Sequence, residues 1–298
     1  MTTSSDKSDR LQELDWHWQG NKIRYTVAGK GKPLLLIHGF GASIGHWKKN
    51  IPVLAKEDYR VFALDLLGFG GSDKAPIDYT LELWQQQIED FWSEHINEPT
   101  VFVGNSIGAL LSLMLVTSRP EISAGGVLIN CAGGLNHRPG DLNPVLGLVM
   151  AGFAKLVSSP ITGNFIFNNI RRKSQIRRTL YQVYRDRNAV TDELVEMLYR
   201  PSCEAGAQKV FASVLTAPAG DSPELLLANL KRPLLIIWGE QDPWTPVTGA
   251  TIYQDLAATN PEVQFEIVKG AGHCPHDENP EAVNSQILQW LPTIAKSK

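Results

Sequence analysis

Six short apolar runs recur along the chain, most of them separated by stretches long enough for a helix. They are PLLLI (33–37), RVFALD (60–65), TVFVG (100–104), GVLIN (126–130), PLLIIWG (233–239) and VQFEIV (263–268). Continuous apolar runs of this length suit strands covered on both faces. The segments 79–96, 107–118 and 247–258 have the length of crossover helices. Strand–helix alternation predicts an α/β chain with a mostly parallel sheet flanked by helices, because a parallel crossover is usually made by a helix. Upstream, LDWHWQGNKIRYTVAG (14–29) holds two alternating runs around Gly20-Asn21, the pattern of a hairpin. Residues 1–10 are polar and read as a disordered tail.

One interval breaks the rhythm. About 100 residues lie between GVLIN and PLLIIWG, far more than a crossover needs. Residues 131–232 therefore read as a helical cap inserted after the sixth core strand, with 1–130 and 233–298 forming the body. At 298 residues and 43% hydrophobic, the chain can bury a sizeable core.

Charge narrows the partners. A net charge of −3 gives no global case for nucleic acid. The distribution is uneven: residues 131–216 hold 11 Lys and Arg against 6 Asp and Glu, a net of +5, and the remainder is −8. A basic cap on an acidic body could meet an anionic surface. Cys131, Cys203 and Cys274 are too scattered for a disulfide framework or a zinc site, so no metal is expected. The N-terminus lacks the apolar core of a signal peptide, and no run of about 18 apolar residues exists. The expectation is a cytoplasmic, reducing setting with at most peripheral membrane contact.

The chemistry is concentrated in a few turns. Gly104-Asn105-Ser106-Ile107-Gly108 is G-x-S-x-G between a predicted strand and a predicted helix, the context in which a strained turn exposes a serine hydroxyl. A serine nucleophile needs a base, and the base needs an orienting acid. Asp242, in IIWGEQDPWTP, and His273, in VKGAGHCPHDENP, each lie just past a predicted strand, where ligands bind in open α/β sheets. His276, Asp277, Glu240 and Glu278 are nearby rivals; His273 is favoured because it follows the strand and tight turn directly. Asn130 occupies another place where an acid could stand, and it cannot serve as an anion. The loop LLLIHGFGAS (34–43) can offer the Phe40 amide, which with that of Ile107 would form an oxyanion hole, each donor worth about 2.7–4 kcal/mol in the transition state. His38 reads as a brace for this loop, DLLGFGGSD (65–73) as scaffold, and Cys274 as packing.

These motifs, in this order over residues 14–294, resemble the α/β-hydrolase superfamily, which implies the α/β-hydrolase fold and catalysis with no metal or organic cofactor. Three stretches are similar to the pheophytinase and chlorophyll dephytylase group of plants and cyanobacteria: CEAGAQKVFASVLTAPAGDSPELLL (203–227), LLIIWGEQDPWTP (234–246) and GAGHCPHDENPEAVN (271–284). That resemblance implies hydrolysis of the phytyl ester of chlorophyll or pheophytin, on or near a photosynthetic membrane. Ile107 and Ala109 depart from the Leu and Gly expected in pheophytinase itself.

The cap fits a bulky hydrophobic substrate. PVLGLVMAGFAKLV (144–157), containing Phe153, is apolar and too short to span a bilayer. Phe165 and Phe167 follow, and with Phe153 they are candidate substrate contacts. Seven basic residues then lie between Arg171 and Arg187, while Ile176, Leu180, Val183 and Tyr184 repeat at helical spacing. The cap reads either as a packed helical layer with solvated arginines or as a lid resting on anionic lipid. A lipid acyl hydrolase or other carboxylesterase, a C–C bond hydrolase, and a ligand receptor that retains the triad are the competing functions.

Overall fold

Period-two alternation within the core strands builds two cores from one sheet. In the computed structural model, which describes residues 11–136, 144–159 and 161–294, Leu35, Ile37, Phe62, Leu64, Phe102, Leu128, Leu234 and Ile236 face one side. Leu34, Leu36, Val61, Ala63, Val103, Val127, Ile129, Leu235 and Ile237 face the other. The expected tail at 1–10 lies outside the described residues.

The strands are β1 (Glu13–Trp18), β2 (Asn21–Ala28), β3 (Lys32–Ile37), β4 (Tyr59–Leu64), β5 (Thr100–Asn105), β6 (Ser123–Ile129), β7 (Leu234–Gly239) and β8 (Val263–Val268). They form one sheet in the order β1-β2-β4-β3-β5-β6-β7-β8. The predicted hairpin is present as β1–β2, and β2 pairs antiparallel with β4. From β4 to β8 all pairings are parallel. The hairpin turn falls on Gln19 and Gly20, both at positive φ, one residue earlier than the sequence suggested.

Helices α1 (Ile51–Lys56), α2 (Leu81–His95) and α3 (Ile107–Ser118) belong to the first half of the body. Residues 107–117 of α3 are buried without interruption, so this helix lies inside the molecule and has no solvent face. Among the described residues, six helices separate β6 from β7: α4 (Pro144–Ser158), α5 (Thr162–Ile170), α6 (Lys173–Val183), α7 (Asp192–Ser202), α8 (Ala207–Thr216) and α9 (Pro223–Leu227). The insertion thus follows the sixth strand and is helical. Its last helix packs on α3, and Leu226 joins the core of the body. The chain ends with α10 (Thr251–Thr259), the short α11 (Pro275–Glu278) and α12 (Pro280–Ile294). The sequence reading had no counterpart for α12. Val283, Ile287, Trp290 and Leu291 on its inner face close the second core.

The cap has a small core of its own. Leu180, Val183 and Tyr184 from the end of α6 pack with Val190, Leu194 and Val195, and Cys274 of the body joins them. The helical repeat read at Ile176, Leu180, Val183 and Tyr184 is therefore a packing face. No described helix is long and apolar enough to cross a membrane.

Candidate active site

The turn after β5 is shaped by two close approaches. A Cβ on Gly104 would lie 2.0 Å from the Gly108 carbonyl oxygen, and one on Gly108 would lie 2.2 Å from that of Ile37. With hydrogen there instead, strand and helix close on one another, and Ser106 is held at φ 57°, a left-handed value unusual for serine. Its amide donates to the Ile129 carbonyl at 3.0 Å, and its carbonyl accepts from Ala109, Leu110 and Ala132. The turn is thus fixed on β6 as well as on α3.

Asp242 follows β7 and is nearly solvent-free. Its Oδ2 takes a bond from His273 Nδ1 at 2.7 Å, from Asn130 Nδ2 at 2.6 Å and from the Thr245 hydroxyl at 2.5 Å. Its Oδ1 accepts the amides of Trp244 at 2.8 Å and Thr245 at 3.1 Å. Burial pushes this carboxyl up, but the His273 bond and charge, with Thr245 and the Trp244 amide, outweigh it and hold Asp242 below its ordinary value. With Nδ1–H donated to Asp242, Nε2 of His273 is left as the acceptor.

His273 is anchored by its backbone. Its amide donates to the Val183 carbonyl at 2.9 Å, and its carbonyl accepts Asn105 Nδ2 at 3.0 Å. The residue beside the serine therefore holds the histidine loop, and the end of α6 holds it from the cap. Gly272 permits this contact, because a Cβ there would meet the Val183 oxygen at 2.0 Å.

Ser106 and His273 line one cavity of about 260 Å³ between body and cap. No hydrogen bond joins their side chains among the described residues, so the base–acid link is made and the serine–base link is open. Such links commonly tighten only when substrate binds. Phe40 also lines the cavity, and Ile107 opens α3 directly after the serine. Neither of their amides donates to a protein acceptor among the described residues.

Of the aromatic residues singled out in the cap, Phe167 lines the cavity and packs on Phe211 at 5.3 Å. Phe153 and Phe165 do not line it. They are 38% and 78% exposed. The helical phase of α5 sends Phe165 outward and Phe167 inward, a choice that an apolar stretch does not reveal by itself. Phe69, from the turn read as scaffold, Phe211 and Trp244 complete much of the apolar wall. Trp244 stands 5.3 Å from the His273 ring.

The rivals are accounted for. His276 is fully buried, its ring tilted against Trp47 at 4.3 Å and edge-on to His46 at 4.7 Å, with neither ring nitrogen bonded among the described residues. Burial, then His46 and His273, push it well below its ordinary value. Asp277 accepts from the Tyr184 hydroxyl at 2.9 Å and pairs with Lys49 at 3.0 Å. Glu240 accepts the Gly270 amide at 2.9 Å, and Glu278 accepts those of Gly272, Arg185 and Asp186. His38 braces its loop: Nδ1 donates to the Gly39 carbonyl, Nε2 accepts the Leu66 amide, and burial lowers it to about 4. Cys274 is buried against Leu180, Val183 and Tyr184, and burial raises its thiol well above the ordinary value.

Asn105, Asn130, Trp244 and Glu278 were not among the expected site residues. Asn130 could have been suspected, since it follows a core strand at the topological level of Asp242. The others depend on contacts between distant parts of the chain.

The sequence matches the Alpha/beta hydrolase family over residues 34–286. It is 27% identical to the chloroplastic pheophytinase of Arabidopsis thaliana, over 95% of this chain and 66% of that protein, and so spans just under two thirds of the plant protein's length. It is also 27% identical to the 2-hydroxy-6-oxo-6-(2'-aminophenyl)hexa-2,4-dienoic acid hydrolase of Metapseudomonas resinovorans, over 91% of this chain and 88% of the relative. Among solved structures, a thermophilic esterase from Thermogutta terrifontis superposes with a TM-score of 0.73 at 25% identity, over 96% of this chain and 99% of that one. With the family match covering most of the chain, and the serine turn, sheet order and inserted cap all in place, the chain belongs to the alpha/beta hydrolase family.

Proposed function

We propose that this chain is a serine esterase for a bulky hydrophobic ester, the phytyl ester of chlorophyll or pheophytin. The observation that supports it most is the meeting of Ser106, on its strained turn, with the Asp242–His273 pair (2.7 Å) at one apolar cavity. His273 Nε2 takes the Ser106 proton as Oγ attacks the ester carbonyl. The oxyanion rests on the amides of Phe40 and Ile107, and Asp242 offsets the charge that forms on the imidazole. His273 then protonates the leaving alcohol, and water hydrolyses the acyl-enzyme. For a chlorophyll pigment the macrocycle's propionyl group is the acyl part and phytol departs first. The likeness to a plant pheophytinase supports this substrate. The same reading puts the enzyme in a reducing compartment, peripherally on a photosynthetic membrane.

A C–C bond hydrolase is the second reading, favoured by the similarity to the dienoic acid hydrolase over 88% of that relative. The deciding experiment offers chlorophyll a, pheophytin a, a galactolipid and a C–C cleavage substrate of the dienoic acid type to purified protein, with Ser106→Ala as control. Phytol released by the wild type and not by Ser106→Ala supports dephytylation. Turnover of the galactolipid alone would replace it with a lipid acyl hydrolase, turnover of the dienoic acid alone with the second reading, and pigment binding without turnover with a receptor.

A further inference from the structure

Among the described residues, the cap leaves an apolar surface exposed that no other side chain covers. On α4, Leu148 is 76% exposed, Val149 59%, Phe153 38% and Leu156 50%. At about 100° per residue these four, with Gly152, fall within an arc of about 140°. Lys155 sits at one edge of that arc, and beyond its other edge, about 40° past Phe153, Val157 is buried. Helix α5 repeats the arrangement: Ile161 at its start is 83% exposed and Phe165 one turn later 78%, while Gly163 and Phe167 face inward.

Both inner faces rest on α8. The Val157 carbonyl accepts Gln208 Nε2 at 3.2 Å, and Phe167 packs on Phe211. Helices α4 and α5 also pack on each other, so their exposed apolar side chains stand on adjoining helices of the cap.

Charge identifies what covers it. Residues 142–185 contain seven Lys and Arg and no Asp or Glu. Lys155, Arg172 and Arg178 are exposed and form no ion pair among the described residues. A second copy of this chain docked through the same face would set these cations against themselves with no carboxylate from this segment to meet them. An anionic lipid surface meets both halves of the pattern, since acyl chains take the apolar side chains and headgroups take the cations.

We infer that the α4–α5 face is a docking surface for an anionic bilayer, with Phe165, Ile161 and Leu148 entering the interface and Lys155, Arg172 and Arg178 on the headgroups. Helix α5 is then a partition one helix thick: Phe165 faces the bilayer and Phe167 the cavity that Ser106 lines. A hydrophobic ester passes from membrane to site without crossing water. Only this last step rests on the esterase reading; the docking surface does not.

The test is co-sedimentation of the full chain with vesicles of phosphatidylcholine alone or with 30% phosphatidylglycerol, alongside hydrolysis of a short water-soluble ester. Wild type binds the anionic vesicles at least tenfold more tightly, and added salt weakens it. Ile161→Asp with Phe165→Asp abolishes binding. Each of Lys155→Gln, Arg172→Gln and Arg178→Gln weakens it by about fivefold. All of these variants keep soluble-ester turnover, which shows the fold and site intact; if the wild type turns over no ester, near-ultraviolet dichroism serves that purpose and the binding result still stands. Wild type that does not bind the anionic vesicles, equal binding to both vesicles, undiminished binding of the double variant, or a dimer that the double variant converts to monomer overturns the docking surface.

Discussion

At the residue scale, Asn130 shows how a site position can be visible and still misjudged. The sequence marks it as unable to be the acid; the fold makes it the acid's support. Its Nδ2 donates to Asp242 and its Oδ1 accepts the Gly239 amide at 3.0 Å, so one side chain joins the end of β6 to the acid's strand. Asn130→Ala removes a bond to a charged acceptor and leaves a buried amide unpaired, which costs about 1.5–3 kcal/mol in a chemical denaturation curve. Turnover of a soluble ester falls by roughly tenfold with KM little changed, because the loss is in the transition state's charge support. Asn130 also sits at φ 45°, where alanine is strained. Asn130→Gly relieves that strain without restoring the bond. A glycine variant that regains full turnover would show that only the backbone mattered.

At the scale of elements, the active-site loops are held by the cap as much as by the sheet. Residues 183–186, leaving α6, run between the acid and histidine loops. Val183 accepts the His273 amide, Arg185 donates twice to the Gln241 carbonyl at 2.7 and 2.9 Å, and Glu278 gathers the amides of Arg185, Asp186 and Gly272. Glu278 is thereby a positioning residue for His273. Glu278→Ala leaves three amides without their acceptor and lowers kcat on a soluble ester by roughly tenfold or more, with a parallel loss of thermal stability. Glu278→Gln keeps one acceptor oxygen and recovers part of the rate; equal rates for both variants would argue against the clamp. None of this clamp was legible in the sequence, because it ties residues 183–186 to partners 56 to 93 positions away. The strands were legible, since burial on both faces imposes continuous apolar runs. Helix α12 was not, although its inner face is apolar, because Pro280 and Pro292 bracket it and no following element gave a rhythm. The phases of α4 and α5 were also hidden: a helix apolar on two faces does not say which one is outside.

At the scale of the molecule, the fold buries more ionisable groups than its catalysis uses, and this sets its response to acid. His38, His46 and His276 are fully enclosed, and burial is the first cause that pushes each below its ordinary value, His38 to about 4. In the unfolded chain each titrates near about 6.5. The stability tied to each is fully present above that value and is lost as pH falls, because the unfolded state takes up protons that the folded state refuses. Asp65 acts in the opposite sense. Burial raises it to about 6 despite the Ile44 and Gly71 amides that its carboxylate accepts. Between about 4 and 6 the folded state holds a proton there that the unfolded state has released, so acidification through that window adds stability. Three histidines oppose one aspartate, and the melting temperature falls as pH is lowered from 7 to about 5. His276 is the place to test this, since its ring packs on Trp47 and its ring nitrogens have no hydrogen-bond partner among the described residues that a substitution would strand. His276→Phe keeps an aromatic ring against Trp47 and removes one proton-binding group from the unfolded state. Its melting temperature declines less steeply over the same range, while Ser106-dependent hydrolysis of a soluble ester at pH 7 is unchanged. A variant whose melting curve tracks the wild type at every pH would mean that His276 is protonated alike in both states and that its burial does not govern the acid limb.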